Sequence, residues 1–120
     1  MFISDTIFDT GLAVLTANLD RMDICSQEPT TYTEATSTYT LGNAAVTTGA
    51  AQNGATDGRR VIIPAITTGS VTGTGTASHH AGTDGTSVLY TTAALTSSQA
   101  VTSGNTFNLD AISVTIRDAA

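Results

Sequence analysis

Between residues 5 and 20 the apolar side chains Phe8, Leu12, Leu15 and Leu19 recur at spacings of four, three and four. That period puts them on one stripe of an α-helix. Ser4 or Asp5 can accept the free amides of its first turn, whereas Gly11 costs the helix about 1 kcal/mol relative to alanine. Such a helix either covers one end or face of a sheet or serves as an arm that docks on a neighbouring molecule.

Downstream the pattern turns to short β segments. Residues 22–26 form a short, partly apolar run that Glu28-Pro29 interrupts. Residues 30–41 alternate threonine with Tyr32, Ala35 and Tyr39, which predicts an extended segment or short strand closed by Leu41-Gly42-Asn43. Residues 43–60, with Gly49, Gly54 and Gly58, lack a pattern and predict a long loop that orders against a partner or stays flexible. Val61, Ile62, Ile63, Ala65 and Ile66 surround Pro64, the sign of an edge strand or strand end. Residues 70–81 predict one strand whose glycines allow close backbone approach. Thr83-Asp84-Gly85-Thr86 is the strongest turn signal, followed by a strand at 88–91, a polar connection at 94–100 and a turn at Ser103-Gly104-Asn105. Phe107 and Leu109, then Ile112, Val114 and Ile116, alternate with a one-residue slip at Asp110-Ala111. A β-bulge there would keep both sets on one core face of a single bent strand over 105–117.

Composition strengthens the β assignment: 25 of 120 residues are threonine, which is β-branched and suits a pleated surface. The expected fold is mainly β, a small antiparallel β-sandwich of six or seven strands, Ig-like or jelly-roll-like, with an N-terminal helix. It is expected to be one domain over residues 1–120, with an arm or helix at 1–20 and the sandwich at 21–120 carrying the loop 43–60. Aromatic residues are only 5% and much of the apolar content is alanine, so the core is thin and contact with sister subunits or a larger surface is expected to add burial.

A net charge of −6, with no lysine, argues against nucleic acid and anionic lipid as partners. No run approaches the roughly 20 apolar residues of a membrane span, and Asp5 and Asp9 precede the first arginine, unlike a secretory signal. Arg59 and Arg60 sit together, as a solvated loop pair, a contact for carboxylates or other anions, or a salt bridge to another chain. His79 and His80 are adjacent, so a strand sends them to opposite sides and they cannot chelate one metal together. Cys25 has no disulfide partner and reads as a buried thiol. Asp84 alone is too few oxygens for calcium. Gly73 and Gly75 lack the following helix that a phosphate loop requires. Ser78, His79 and Asp84 fall in one hairpin with no oxyanion site, so no enzyme and no cofactor are expected. A carbohydrate platform would call for exposed aromatics, of which only Tyr32, Tyr39 and Tyr90 are candidates.

Four stretches carry a resemblance: Asp23-Ile24-Cys25-Ser26-Gln27-Glu28-Pro29-Thr30-Thr31-Tyr32, then Gly69-Ser70-Val71-Thr72-Gly73-Thr74-Gly75-Thr76-Ala77-Ser78-His79, the Asp84-Gly85 turn, and Gln99-Ala100-Val101-Thr102-Ser103-Gly104-Asn105-Thr106-Phe107. In this order they resemble a family of small β-sandwich virion proteins of tailed bacteriophages and prophages. His80-Ala81-Gly82 departs from that family, many of whose members continue with larger apolar residues. The resemblance implies a virion structural protein, in particular a capsid decoration or cement protein. It implies the major capsid protein as partner, self-association as a homotrimer, assembly in the host cytoplasm and a place on the outer capsid surface. Tail, baseplate or head-fibre components are the alternatives within that setting. The expected capsid or inter-subunit contacts are Phe2, Ile3, Ile7 and Phe8 of residues 1–12, and Arg59 and Arg60 at the end of the loop 43–60.

Overall fold

A computed structural model describes residues 4–54 and 58–116. The chain is mainly β with antiparallel sheets and one N-terminal helix, a small β-sandwich-like fold. The helix α1 spans Asp5–Asn18 and is capped by Ser4, whose side chain accepts from the Thr6 amide. Phe8, Leu12, Leu15 and Leu19 are all buried, as their spacing predicts. Leu12, Leu15 and Leu19 enter the main core, and the helix packs beside strand β4.

Nine strands follow among the described residues, more than the six or seven expected: β1 (Arg21–Cys25), β2 (Thr40–Ala45), β3 (Gln52–Asn53), β4 (Arg59–Ile63), β5 (Ile66–Val71), β6 (Gly75–Thr83), β7 (Leu89–Val101), β8 (Thr106–Leu109) and β9 (Ile112–Ile116). A curled six-stranded sheet has the order β7-β6-β1-β2-β5-β8, and a three-stranded sheet the order β3-β4-β9. Met22, Ile24, Val71 and Phe107 of the large sheet share one core with Val61 and Ile63 of the small sheet.

β1 lies at the centre of the large sheet, and its residues 22–25 are buried on both faces. Met22 and Ile24 join the core, while Asp23 and Cys25 alternate to the outer face. A helical turn covers that outer face. Most of residues 30–41 is therefore neither extended nor a strand, only Thr40 and Leu41 belonging to β2: Tyr32 and Thr33 begin a turn that continues as the π-helical segment Glu34–Thr38. Its start is held by reciprocal bonds, Thr30 N and Oγ1 each 2.8 Å from Glu34 Oε1 and Glu34 N 3.1 Å from Thr31 Oγ1. The Thr30 amide, and then its hydroxyl, hold the Glu34 carboxyl below its ordinary range. The Thr-x-x-Glu spacing of Thr31 and Glu34 is close to a capping box, a signal that threonine alternation obscured.

Several boundaries also move. Residues 43–45 belong to β2, 52–53 form β3, and Arg59 and Arg60 open β4, so the expected loop 43–60 is broken by paired backbone. The expected strand 70–81 is divided between β5 and β6, which are not neighbours in the sheet, because residues 72–74 turn and the amides of Thr72 and Gly73 donate to the Leu41 carbonyl. Residues 94–100 are strand and not a connection: β7 pairs Ala94 with His79 and Gln99 with Ala77, leaving residues 95–98 as a wide bulge. Residues 105–117 are not one bent strand. β8 pairs with β5 in the large sheet and β9 pairs with β4 in the small one, so the slip at Asp110-Ala111 is a change of sheet.

The Asp84-Gly85 turn is as expected. Gly85 has φ +74°, and Asp84 Oδ1 accepts the amides of Thr86, Ser87 and Val88 at 2.8–3.0 Å. Those donors lower the Asp84 pKa.

Candidate functional site

Among the described residues, the expected contact residues do not form one surface. Phe2 and Ile3 lie outside the described residues. Ile7 is 63% exposed, but Phe8 is only 5% exposed, because the helical stripe that includes Phe8 turns inward on its own fold. Arg59 and Arg60 stand on a strand, so alternation sends them to opposite sides. Arg59 is an internal staple in this chain: its Nε is 2.8 Å from Asp9 Oδ1 on α1, its Nη1 is 2.7 Å from Asn53 Oδ1, and its Nη2 donates to the Ala51 carbonyl. It ties the helix to the small sheet. Arg60 is half-buried with its Nε enclosed and unpartnered.

Helix α1 has a second apolar side. Val14 is 47% exposed, and it follows Ile7 by seven residues, two turns along the same outward face. The buried stripe and the Arg59 pair hold that face in a defined orientation.

The histidines separate as alternation predicts. His80 is buried on the core side opposite Ile24, whereas His79 is half-buried on the outer side opposite Cys25. Ser78 Oγ lies 2.8 Å from His79 Nδ1 and 3.0 Å from the Ser26 carbonyl, and Glu28 stands 3.8 Å from His79 Nε2. Asp84 sits in the turn at the end of this hairpin with its carboxylate engaged by three amides, so Ser78, His79 and Asp84 are not assembled into a relay. Among the described residues no group of three or more His, Cys, Asp or Glu is placed to hold a metal ion. Among them, also, no helix is long and apolar enough to cross a membrane.

Buried polarity on the outer side of β1 is fully matched. Arg21 Nε and Nη2 donate to the two carboxylate oxygens of Asp23 at 2.7 and 2.9 Å, and Thr40 Oγ1 donates to Asp23 Oδ2 at 2.7 Å. The hydrogen bond to Asp23 raises the Arg21 pKa. Cys25, two residues on, is wholly buried beside Ala35, and desolvation pushes its pKa up to about 12. It is an inert thiol in packing terms.

On the core side the large sheet leaves a cleft. Its edge strands β7 and β8 are consecutive in sequence and joined by the turn at residues 102–105, yet they do not pair. Between them opens a cavity of about 390 Å³, with Ile24, Ala77 and His80 among its lining residues from β1 and β6. Phe107 and Leu109 of β8 and Ile112 of β9 line its other side. The sequence carried no sign of this cleft, because it depends on the change of sheet at Asp110-Ala111 and on the bulge in β7.

No protein-family model, curated protein or solved structure matches the chain. The described geometry offers binding surfaces: a two-sided helix and a cleft at a sheet edge.

Proposed function

We propose that this chain is a virion structural protein of a tailed bacteriophage, a capsid decoration protein that binds the outer surface of the major capsid protein shell. In this reading it acts as a homotrimer, assembled in the host cytoplasm, and stabilises the shell by bridging capsomers. Its role is binding and not catalysis.

The motif resemblance supplies the setting. The observation that carries a docking role is the outward pair Ile7 and Val14 on a helix anchored by its other side. Burial of two aliphatic side chains is worth about 1.5–3 kcal/mol each at full burial, which is weak for one copy. Three linked copies on one assembly would multiply that contact through effective concentration. The acidic net charge fits a partner surface that is not nucleic acid or anionic lipid.

Calibrated peptide mass spectrometry of purified particles tests the reading. A ratio to major capsid protein near one to one supports a shell-wide role. A handful of copies per particle would shift the chain to a tail, baseplate or fibre position, and absence from particles would remove the virion reading. The docking face is tested by Ile7→Asp with Val14→Asp, which should lower capsid occupancy at least tenfold while the melting temperature of the free protein stays near wild type. Unchanged occupancy would take α1 out of the contact.

A further inference from the structure

We propose that the cleft between β7 and β8 is a docking site for one extended segment of a basic partner protein. The segment adds as a strand along the free edge of β8, sends a small apolar side chain into the cavity, and places a lysine or arginine at Asp110.

Backbone geometry supplies the first argument. Among the described residues β8 pairs with β5 on one side only and β7 with β6 on one side only, so both turn an unpaired edge toward the cavity. Unpaired edges template strand addition unless something covers them. Here the bulge at residues 95–98 disrupts the β7 edge and leaves the short β8 as the template.

The cavity interior supplies the second. Its floor and walls are apolar at Ile24, Ala77, Phe107, Leu109 and Ile112, and its volume falls in the range of ligand pockets. Polar groups share that lining: Thr96, Ser97, Gln99, Asn108 and Asp110 are exposed at it, and His80 is the buried one among them. His80 is 7% exposed, and its Nδ1 is enclosed without a hydrogen-bond partner. An unsatisfied buried polar atom is costly, so a group arriving with a donor or acceptor gains from meeting it.

Charge selects the occupant. Asp110 lines the cavity, is exposed, and lies in the short connection between β8 and β9. A cation beside it would be matched, whereas a second copy of this chain brings a net charge of −6, with ten carboxylates against four arginines. The inference does not rest on the capsid reading, since α1 contributes nothing to the cleft lining.

The test uses the full chain and two synthetic peptides, Lys-Val-Lys-Val-Lys and its glutamate counterpart, with binding read by fluorescence polarisation and by amide hydrogen exchange. The lysine peptide should bind and protect the amides of β8, and the glutamate peptide should not bind. Asp110→Asn should weaken the lysine peptide about threefold to fivefold at low salt, the scale of an exposed ion pair, and added salt should erase that difference. Ala111→Trp, at an exposed position on the cavity wall, should abolish binding without unfolding the protein. Ile7→Asp with Val14→Asp should leave it unchanged. Equal binding of both peptides, protection mapping away from β8, or no binding at millimolar peptide would overturn the proposal. So would β8 protection that grows with protein concentration in the absence of peptide, because the occupant would then be a second copy.

Discussion

Asp23 and His80 stand one rung apart on the same pair of strands, Asp23 opposite Ala81 and His80 opposite Ile24, and they face opposite sides of the large sheet. Both are buried polar side chains. The carboxylate meets two guanidinium nitrogens and a threonine hydroxyl beneath a helical turn, whereas the imidazole looks into a cleft with Nδ1 unpartnered. A charged group can be buried where the fold supplies every partner. A neutral one can be left unsatisfied where the cost is smaller, and such a place is open to a ligand. One side of the sheet is thus closed by structure and the other is left available.

The sharpest way to break this contrast is through Cys25, which lies on the Asp23 side. A pKa of about 12, raised from 9.0, cuts the thiolate fraction roughly a thousandfold. Native protein at pH 8 should therefore react with a thiol reagent at least that much more slowly than protein in denaturant, and comparable rates would show that the helical turn does not seal this side.

Asp23→Ala comes next. Removing one member of a buried ion pair typically costs 3–5 kcal/mol, and Arg21, whose side chain is 29% exposed, can still reach water. The expected loss is about 3 kcal/mol by urea denaturation; a loss near zero would mean that the network is not holding the outer side.

On the cleft side, Gly69 lies directly under the Phe107 ring on the paired strands β5 and β8, and a Cβ there would clash with the ring. Gly69→Ala should cost about 2 kcal/mol, within the range for overpacking, and should also disturb peptide binding by shifting a wall of the cavity. If it is silent in both readouts, the ring is not fixed by this contact.

The smallest effect is a pH dependence. Burial, and then the neighbouring His79, lower the His80 pKa below 6.5. The unfolded chain therefore takes up the proton first. This contribution to stability is complete above pH 6.5, declines as pH falls toward the lower folded-state pKa, and levels off below it. Melting temperatures between pH 7.5 and 5 should show a decline that His80→Gln reduces. Identical slopes would show that His80 is not buried as a neutral ring. The Asp84 carboxyl acts in a separate window: its pKa is lowered from 3.8, so its contribution is lost only on further acidification.

Much of the fold was legible wherever one local rule acted alone. The helix was readable from Phe8, Leu12, Leu15 and Leu19, and the hairpin from Asp84-Gly85, because periodicity and positive φ are properties of a few consecutive residues. The candidate surfaces were less legible. Ile7 was anticipated as a contact and is exposed, while Phe8 was anticipated beside it and is buried, since one residue along a helix changes face by about 100°. Arg59 was read as part of a loop, because its tie to Asp9 spans 50 residues. β1 was not read as a central strand, because Asp23 looks polar until Arg21 and Thr40 are placed around it.

From its residues alone the chain was bound to be threonine-rich β structure with an amphipathic helix in front, for propensity and periodicity are written locally. Which edges remain unpaired, which buried polar groups find partners, and whether Asp110-Ala111 bends one strand or separates two were decided only by the packing of distant segments. Those outcomes are set by long-range pairing, where a shift of one residue turns a side chain from the core to the opposite face.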